Sequence, residues 1–299
     1  MPDRTRPAGA ASLARLAAPW LAVLAVAAAS FACAPGEAAP PSDRARRMLP
    51  DRVRQVTMKL YLPPQAYGSA SADRKALELW MYSITAFAPD GFVSEERYFD
   101  RDNRLTSIVI HERDAQGRPS GAASRSPIGD LEQRLAYRYD ERGRRAREEY
   151  YDAGGILIGS NEHRYDDRGR VQSTVMRVDY SDGSSRINEV RYRYDESGSA
   201  VEEEYREPPS SAVTLRVAHA YLDGRRAYSS HYQRGRWLEG RVFYAYDPDG
   251  NLIREASYQV PDDAEGRYEA MTREEDFPAS FFSSETRYEY RYFEGSDRP

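Results

Sequence analysis

Four stretches of the chain place tyrosine, aspartate and arginine at a fixed spacing: "YRYDERGR" at 137–144, "HRYDDRGRV" at 163–171, "YRYDESGS" at 192–199 and "YAYDPDGNL" at 244–252. A carboxylate beside a phenol and a guanidinium could move protons, hold a cation or bind a sugar. Each of Asp140, Asp166, Asp195 and Asp247 stands where a turn begins. There its side chain accepts backbone N–H groups two residues on, as an Asx-turn. Calcium loops need several oxygen ligands at closer spacing, so these aspartates read as turn residues. Tyr139, Tyr165, Tyr194 and Tyr246 read as core or cross-strand ladder residues. Their functional reading is a stacking platform for a glycan or peptide, with rings exposed on one face. Trp237, in "QRGRWLEG" between Arg234 and Arg236, is the sharpest candidate for an exposed aromatic. Against it stand core packing and a cation–π pair with a neighbouring arginine.

Other chemistry is weakly signalled. In "VEEEYRE" (201–207), Glu202 and Glu204 share one face of a strand and Glu203 takes the other. Two same-face glutamates fit the carboxyl separation of a glycoside hydrolase, about 5 to 9.5 Å. In a chain with 48 acidic residues a solvated charged face is the simpler reading. His111, His163, His219 and His231 are scattered, with no His-x-x-x-His and no cysteine partner, so no zinc site is expected. No nucleophile elbow, P-loop or nucleophile–base pair stands out. No enzymatic activity, cofactor or metal is expected.

The elements that must position these residues come from a repeat. Turn glycines fall at 91, 117, 143, 169, 198, 224 and 250, with gaps of 26, 26, 26, 29, 26 and 26. A second set of turn signals lies halfway: "RDNR" at 101–104, Gly129, Gly155, Gly183, "PPSS" at 208–211, Gly235 and Gly266. Between turns, tyrosines alternate with polar residues at period 2, and "VFYAY" (242–246) and "TRYEYRYF" (286–293) are dense in β-formers. The segment 71–87 reads as mostly strand, with a helical turn near 72–76. The spacing predicts an all-β antiparallel meander of about 15–17 strands, two per 26-residue repeat, forming one curved or coiled sheet. A closed or half-open β-barrel is the alternative, because a flat sheet of that size would leave its apolar face wet.

On the cassettes at 137–144, 163–171, 192–199 and 244–253 the chain resembles the YD repeat of Rhs-type proteins: Tyr-x-Tyr-Asp, two residues, Gly, then Arg or Asn and an apolar residue. The resemblance covers about 85–260 and is closest at "YAYDPDGNLI". It implies β-hairpins joined into a spiralling sheet in a secreted or surface protein, and sugar binding is associated with the family. Large members wrap a toxin in a hollow shell. This chain is short for a shell and leaves no segment for a toxin after residue 260, so the resemblance implies a stand-alone repeat domain.

Composition sets the remaining bounds. The chain has 299 residues with formal charge −5, 23 tyrosines, and only Lys59 and Lys75 as lysines among 43 basic residues. Acids and bases interleave without a basic stripe, which argues against nucleic acid. Arg4, Arg6 and Arg15 precede the uncharged run Leu16–Ala32, which reads as an export signal. Cys33, the only cysteine, ends it and resembles the acylated cysteine of bacterial lipoproteins; ordinary cleavage beside it is the alternative. Residues 1–33 thus read as a lipoprotein-like signal, 34–51 as a tether and 52–295 as the repeat domain. Removing 1–32, with three arginines and one aspartate, takes the formal charge from −5 to −7. The expectation is an exported monomer, lipid-anchored to the cell envelope at the outer membrane or cell surface, or else periplasmic or secreted. Its expected role is a non-catalytic binding or scaffold module for a glycan or protein. The alternatives are a carbohydrate-active hydrolase using paired carboxylates, and a half-barrel carrier of an apolar ligand.

Overall fold

The computed structural model describes residues 53–63, 77–261 and 268–292. The signal with Cys33, the tether, the turn expected near 72–76 and Gly266 lie outside the described residues. Sixteen strands follow one another: β1 (Val53–Leu62), β2 (Glu78–Phe87), β3 (Val93–Asp100), β4 (Leu105–Arg113), β5 (Pro119–Arg125), β6 (Leu131–Tyr139), β7 (Arg145–Asp152), β8 (Leu157–Tyr165), β9 (Val171–Asp179), β10 (Ser185–Tyr194), β11 (Ala200–Arg206), β12 (Val213–Leu222), β13 (Arg225–Gln233), β14 (Trp237–Tyr246), β15 (Leu252–Gln259) and β16 (Phe282–Tyr292). Each pairs antiparallel with its sequence neighbour, and β16 returns to pair with β1, from Val53 opposite Tyr292 to Tyr61 opposite Glu285. The meander therefore closes into a barrel. Closure removes the two sheet edges that an open meander would leave unpaired.

The 26-residue glycines do what their spacing requires. Gly143 (φ 74°) and Gly169 (φ 78°) occupy the left-handed region that a side chain disfavours. In the first of these turns the Gly143 N–H donates to the Asp140 carbonyl, and the Asp140 N–H to the Arg144 carbonyl. This is a three-residue hairpin connection closed by a glycine bulge, the second commonest way to join antiparallel strands. These turns all lie at one rim of the barrel, and the halfway turns form the other.

Directly opposed residues share a face of the sheet, so the register separates inside from outside. One face carries Tyr137, Glu148, Asn161 and Met176 in succession, and alongside them Ala122, Leu135 and Tyr150. Glu148 is 1% exposed, Val190 2% and Tyr150 7%. This is the interior, where the side chains screen one another from water. The opposite face carries Arg97, Arg134, Arg138, Glu162, Arg164, Arg191 and Arg193, all exposed. Several of them join cross-strand ion pairs, such as Arg138–Glu149 (3.1 Å) and Arg193–Glu202 (3.3 Å), with Arg216 meeting the same Glu202 at 3.0 Å. Membrane-spanning barrels present an apolar band instead, and an arginine at the bilayer midplane costs about 2–4 kcal/mol. The wall of this barrel is accordingly a water-facing surface.

One exterior patch is covered. Phe243, Ala256 and Tyr258 on β14 and β15 are buried with Val260, Phe277 and Phe282. Phe277 meets Phe243 edge-on at 5.5 Å and Tyr258 at 5.4 Å. The segment before β16, with its single 3₁₀ turns Glu274–Asp276 and Ala279–Phe281, lies over this patch. Glu274 ties it to Arg254 of β15.

Candidate functional site

The tyrosine–aspartate cassettes are latches between successive repeats. Oδ1 of Asp140 accepts the backbone N–H groups of Arg142 (3.0 Å) and Arg144 (2.8 Å), and Oδ2 accepts Arg144 Nε at 2.7 Å. Asp166 repeats these bonds with Arg168 and Arg170. Partial burial pushes the Asp140 and Asp166 carboxyls up, but the arginine bonds outweigh it and hold both below the usual carboxylate range. The held guanidinium then reaches the next repeat. Arg118, held by Asp114 in the same way, lies over the Tyr139 ring at 5.1 Å, Arg144 over Tyr165 at 4.3 Å and Arg170 over Tyr194 at 4.5 Å, while Arg225, with no aspartate partner among the described residues, lies over Tyr246 at 5.8 Å. Each of these tyrosines also donates its hydroxyl backwards: Tyr139 to the Pro119 carbonyl, Tyr165 to Arg145 (2.6 Å), Tyr194 to Val171 (2.8 Å) and Tyr246 to Arg226 (3.0 Å). A ring with one face under a guanidinium and its hydroxyl committed to backbone is a structural joint. These four tyrosines therefore stand apart from one another, one per repeat, along a single rim.

The interior holds an arrangement that the sequence reading passed over. Glu96, Glu148 and Glu203 each accept the hydroxyl of the tyrosine two residues on, Tyr98 (3.0 Å), Tyr150 (2.9 Å) and Tyr205 (2.8 Å). Each also faces Nε2 of a histidine on the next strand: His111 at 3.0 Å, His163 at 3.6 Å and His219 at 3.1 Å. Three of the four histidines, read above as scattered, thus occupy equivalent places two repeats apart. The sign was present in the sequence: Glu-x-Tyr at 96–98, 148–150 and 203–205, each followed by a histidine 15 or 16 residues after the glutamate. The two outer nitrogens that have partners use hydroxyls, His163 Nδ1 with Thr174 (3.0 Å) and His219 Nδ1 with Ser229 (2.8 Å).

Charge in this interior is balanced locally. Glu148 also binds Arg145 (3.1 Å) and Asn161 (3.1 Å). Burial pushes its carboxyl up, but His163, Arg145 and Asn161 together bring it down to about 2. Glu203 is likewise held low, its burial outweighed by His219 and Tyr205. Burial pushes His231 down. Glu255 differs: burial raises its carboxyl, and the Tyr288 hydroxyl at 3.0 Å offsets only part of that. Tyrosine, histidine, glutamate and small hydroxyls share the interior with Val190, Val217 and Leu135, so it is not an aliphatic tunnel. Among the described residues no three His, Cys, Asp or Glu side chains gather as a metal site.

On the exterior, the two glutamates that matched a hydrolase spacing are both engaged. Glu202 is bound by Arg193 and Arg216, and Glu204 by Arg206 at 2.6 Å. Burial raises the Glu202 carboxyl, but the two arginines outweigh it and hold it low. A general acid needs a raised pKa, and this setting opposes one.

Trp237 lies at the rim opposite the cassettes, where the β13–β14 hairpin turns. It is 39% exposed, and Arg234 stands over its ring at 5.9 Å. It borders a groove of about 700 Å³ lined also by Glu204, Thr214, Arg216, Gln233 and Arg236. The structure thus separates Trp237 from the four tyrosines, placing the candidates at opposite ends of the barrel.

No known protein family matches the sequence. No characterised protein matches it either. Among solved structures, a porin-like protein from Bacteroides uniformis matches with TM-score 0.49 and 8% identity, over 80% of this chain and 98% of that one. A domain described as an outer membrane lipoprotein-sorting protein from Vibrio parahaemolyticus matches with TM-score 0.32 and 11% identity, over 85% and 91%. The complex TcdB2-TccC3-Cdc42 matches with TM-score 0.31 and 13% identity, over 63% of this chain and 13% of that one. These likenesses are too distant to assign a family or an activity.

Proposed function

We propose that this chain is a non-catalytic binding module of the cell envelope, a stand-alone member of the YD-repeat class that presents a saccharide-binding groove at Trp237. The observation that carries this reading is the groove itself. Half-exposed indole, two neutral hydrogen-bonding side chains (Thr214 and Gln233) and several guanidinium groups converge on a volume of about 700 Å³. That volume lies within the range of about 300–1,000 Å³ for small-ligand sites, and the mostly polar lining around one aromatic ring suits a hydroxyl-rich ligand better than an apolar one. The water-facing exterior suits a module that stands free of the bilayer, tethered by its N-terminus. The export reading rests on residues 4–33, with Cys33 as the acylated residue and a membrane as the partner of the anchor.

The test is a glycan array probed with the purified mature domain, residues 34–299, beside a Trp237→Ala variant. Binding that is lost in the variant is the expected result. Absence of binding to every glycan removes the saccharide reading and leaves a scaffold.

A further inference from the structure

We propose that the Trp237 groove selects acidic saccharides, sugars that carry a carboxylate or sulfate, over their neutral counterparts. This rests on the saccharide reading above and adds the charge of the ligand.

The argument is a count of which charges in the groove are already matched. Arg216 is committed: its Nη1 binds Glu202 at 3.0 Å, its Nε donates to the Gly235 carbonyl at 3.2 Å, and its guanidinium lies over Tyr232 at 4.1 Å. The groove's one carboxylate, Glu204, is taken by Arg206. Arg234 and Arg236 remain, and among the described residues neither has a carboxylate within ion-pair distance. Elsewhere on the wall many arginines are matched by a carboxylate, across strands as in Arg138–Glu149 and Arg193–Glu202 or along one strand as in Arg191–Glu189. Arg234 and Arg236 differ from the other arginines without an ion pair in that both line one groove beside an exposed indole.

The turn that carries them is held in place. Arg234 itself has φ 49° and Gly235 φ 70°, a left-handed pair. The Arg234 N–H donates to the Thr214 carbonyl of β12 at 2.7 Å, and the Arg236 N–H to the Gln233 carbonyl at 3.1 Å. Gly235 packs so closely on Val213 that a methyl group there would come within 3.3 Å of it. The hairpin is therefore fastened across the neighbouring strand, and the two guanidinium groups leave from a defined backbone. Guanidinium forks match carboxylate and sulfate-like oxyanions in a planar, paired geometry. Arg234 lies over one face of the indole, and the opposite face would supply an apolar wall for the C–H face of a pyranose ring. A neutral sugar would satisfy the wall and leave both cations in water; an acidic one would use both.

The experiment compares acidic and neutral members of matched saccharide pairs on one array: uronate oligomers against their methyl esters, and sulfated against desulfated chains. The full mature domain is compared with Arg234→Gln/Arg236→Gln and with Trp237→Phe. The expected result is binding to acidic members about tenfold or more tighter than to neutral ones, as the loss of a charge-assisted bond implies. That margin should collapse in the double glutamine variant and persist in Trp237→Phe. Circular dichroism melting confirms that the variants are folded; the substituted side chains lie at a hairpin turn and outside the interior. Equal binding of the acidic and neutral members overturns the charge inference while leaving the saccharide reading in place. Acidic preference unchanged in the double variant overturns the assignment to this groove. Binding to neither class overturns both.

Discussion

Glu148 offers the sharpest test of how the barrel is held together. It is the most completely buried large side chain of the interior, 1% exposed, and its carboxylate binds Arg145, Asn161, Tyr150 and His163. Glu148→Gln keeps the shape and removes the charge. A glutamate ordinarily titrates near 4.5, and this one is brought down to about 2 by its partners. The folded carboxyl pKa is depressed, so the contribution to stability is complete above the unfolded value and is lost as pH falls through the folded one. The difference amounts to about 3 kcal/mol at neutral pH. For a domain of this size that is a fall in Tm of about 6–12 °C. Urea unfolding of wild type and variant at pH 7 should show this gap. Repeated near pH 3 the gap should shrink to less than half, and it should close only below about pH 1, beneath both pKa values. A variant that unfolds within about 0.5 kcal/mol of wild type at pH 7, or a gap that does not change with pH, would refute the ion-pair account of this interior.

The latch between repeats makes a second prediction. Tyr165→Phe removes one hydroxyl bond to the Arg145 carbonyl and should cost about 1 kcal/mol. Arg144→Ala removes the guanidinium over the same ring, and the double variant should lose less than the sum of the two, read by a double-mutant cycle in urea. Strict additivity would mean that the two contacts are not one joint. At the other end of the chain, Cys33→Ala should release the protein from membranes on fractionation; a variant that sediments with membranes as wild type does would remove acylation as the anchor.

Much of the architecture was readable along the chain because its cause is local. A glycine at positive φ marks a turn wherever it stands, so a series at 26-residue spacing gives both the strand number and the pairing of neighbours. The aspartates as turn residues follow from the same local chemistry, and so does Glu203 facing away from Glu202 and Glu204. The Glu–Tyr–His groups were harder to see. Glutamate and histidine lie 15 or 16 residues apart, on two different strands, and only the register of those strands brings them within hydrogen-bond distance. Arg144 and Arg170 each bind their own turn aspartate, which is a local contact, and also cover the tyrosine of the next repeat, 21 or 24 residues away, which only the register reveals.

Taken alone, the sequence determines an all-β meander of hairpins with a tyrosine–aspartate turn in each cassette, because turn conformation and strand period depend on residues close together in the chain. Tertiary structure decided the closure of β1 on β16, since that pairing joins residues more than 200 positions apart and depends on the twist summed over every strand between them. It also decided which face is wet. Both faces carry charge, and only the register shows that Arg and Glu pair along the outside while Glu, Tyr and His bury one another within.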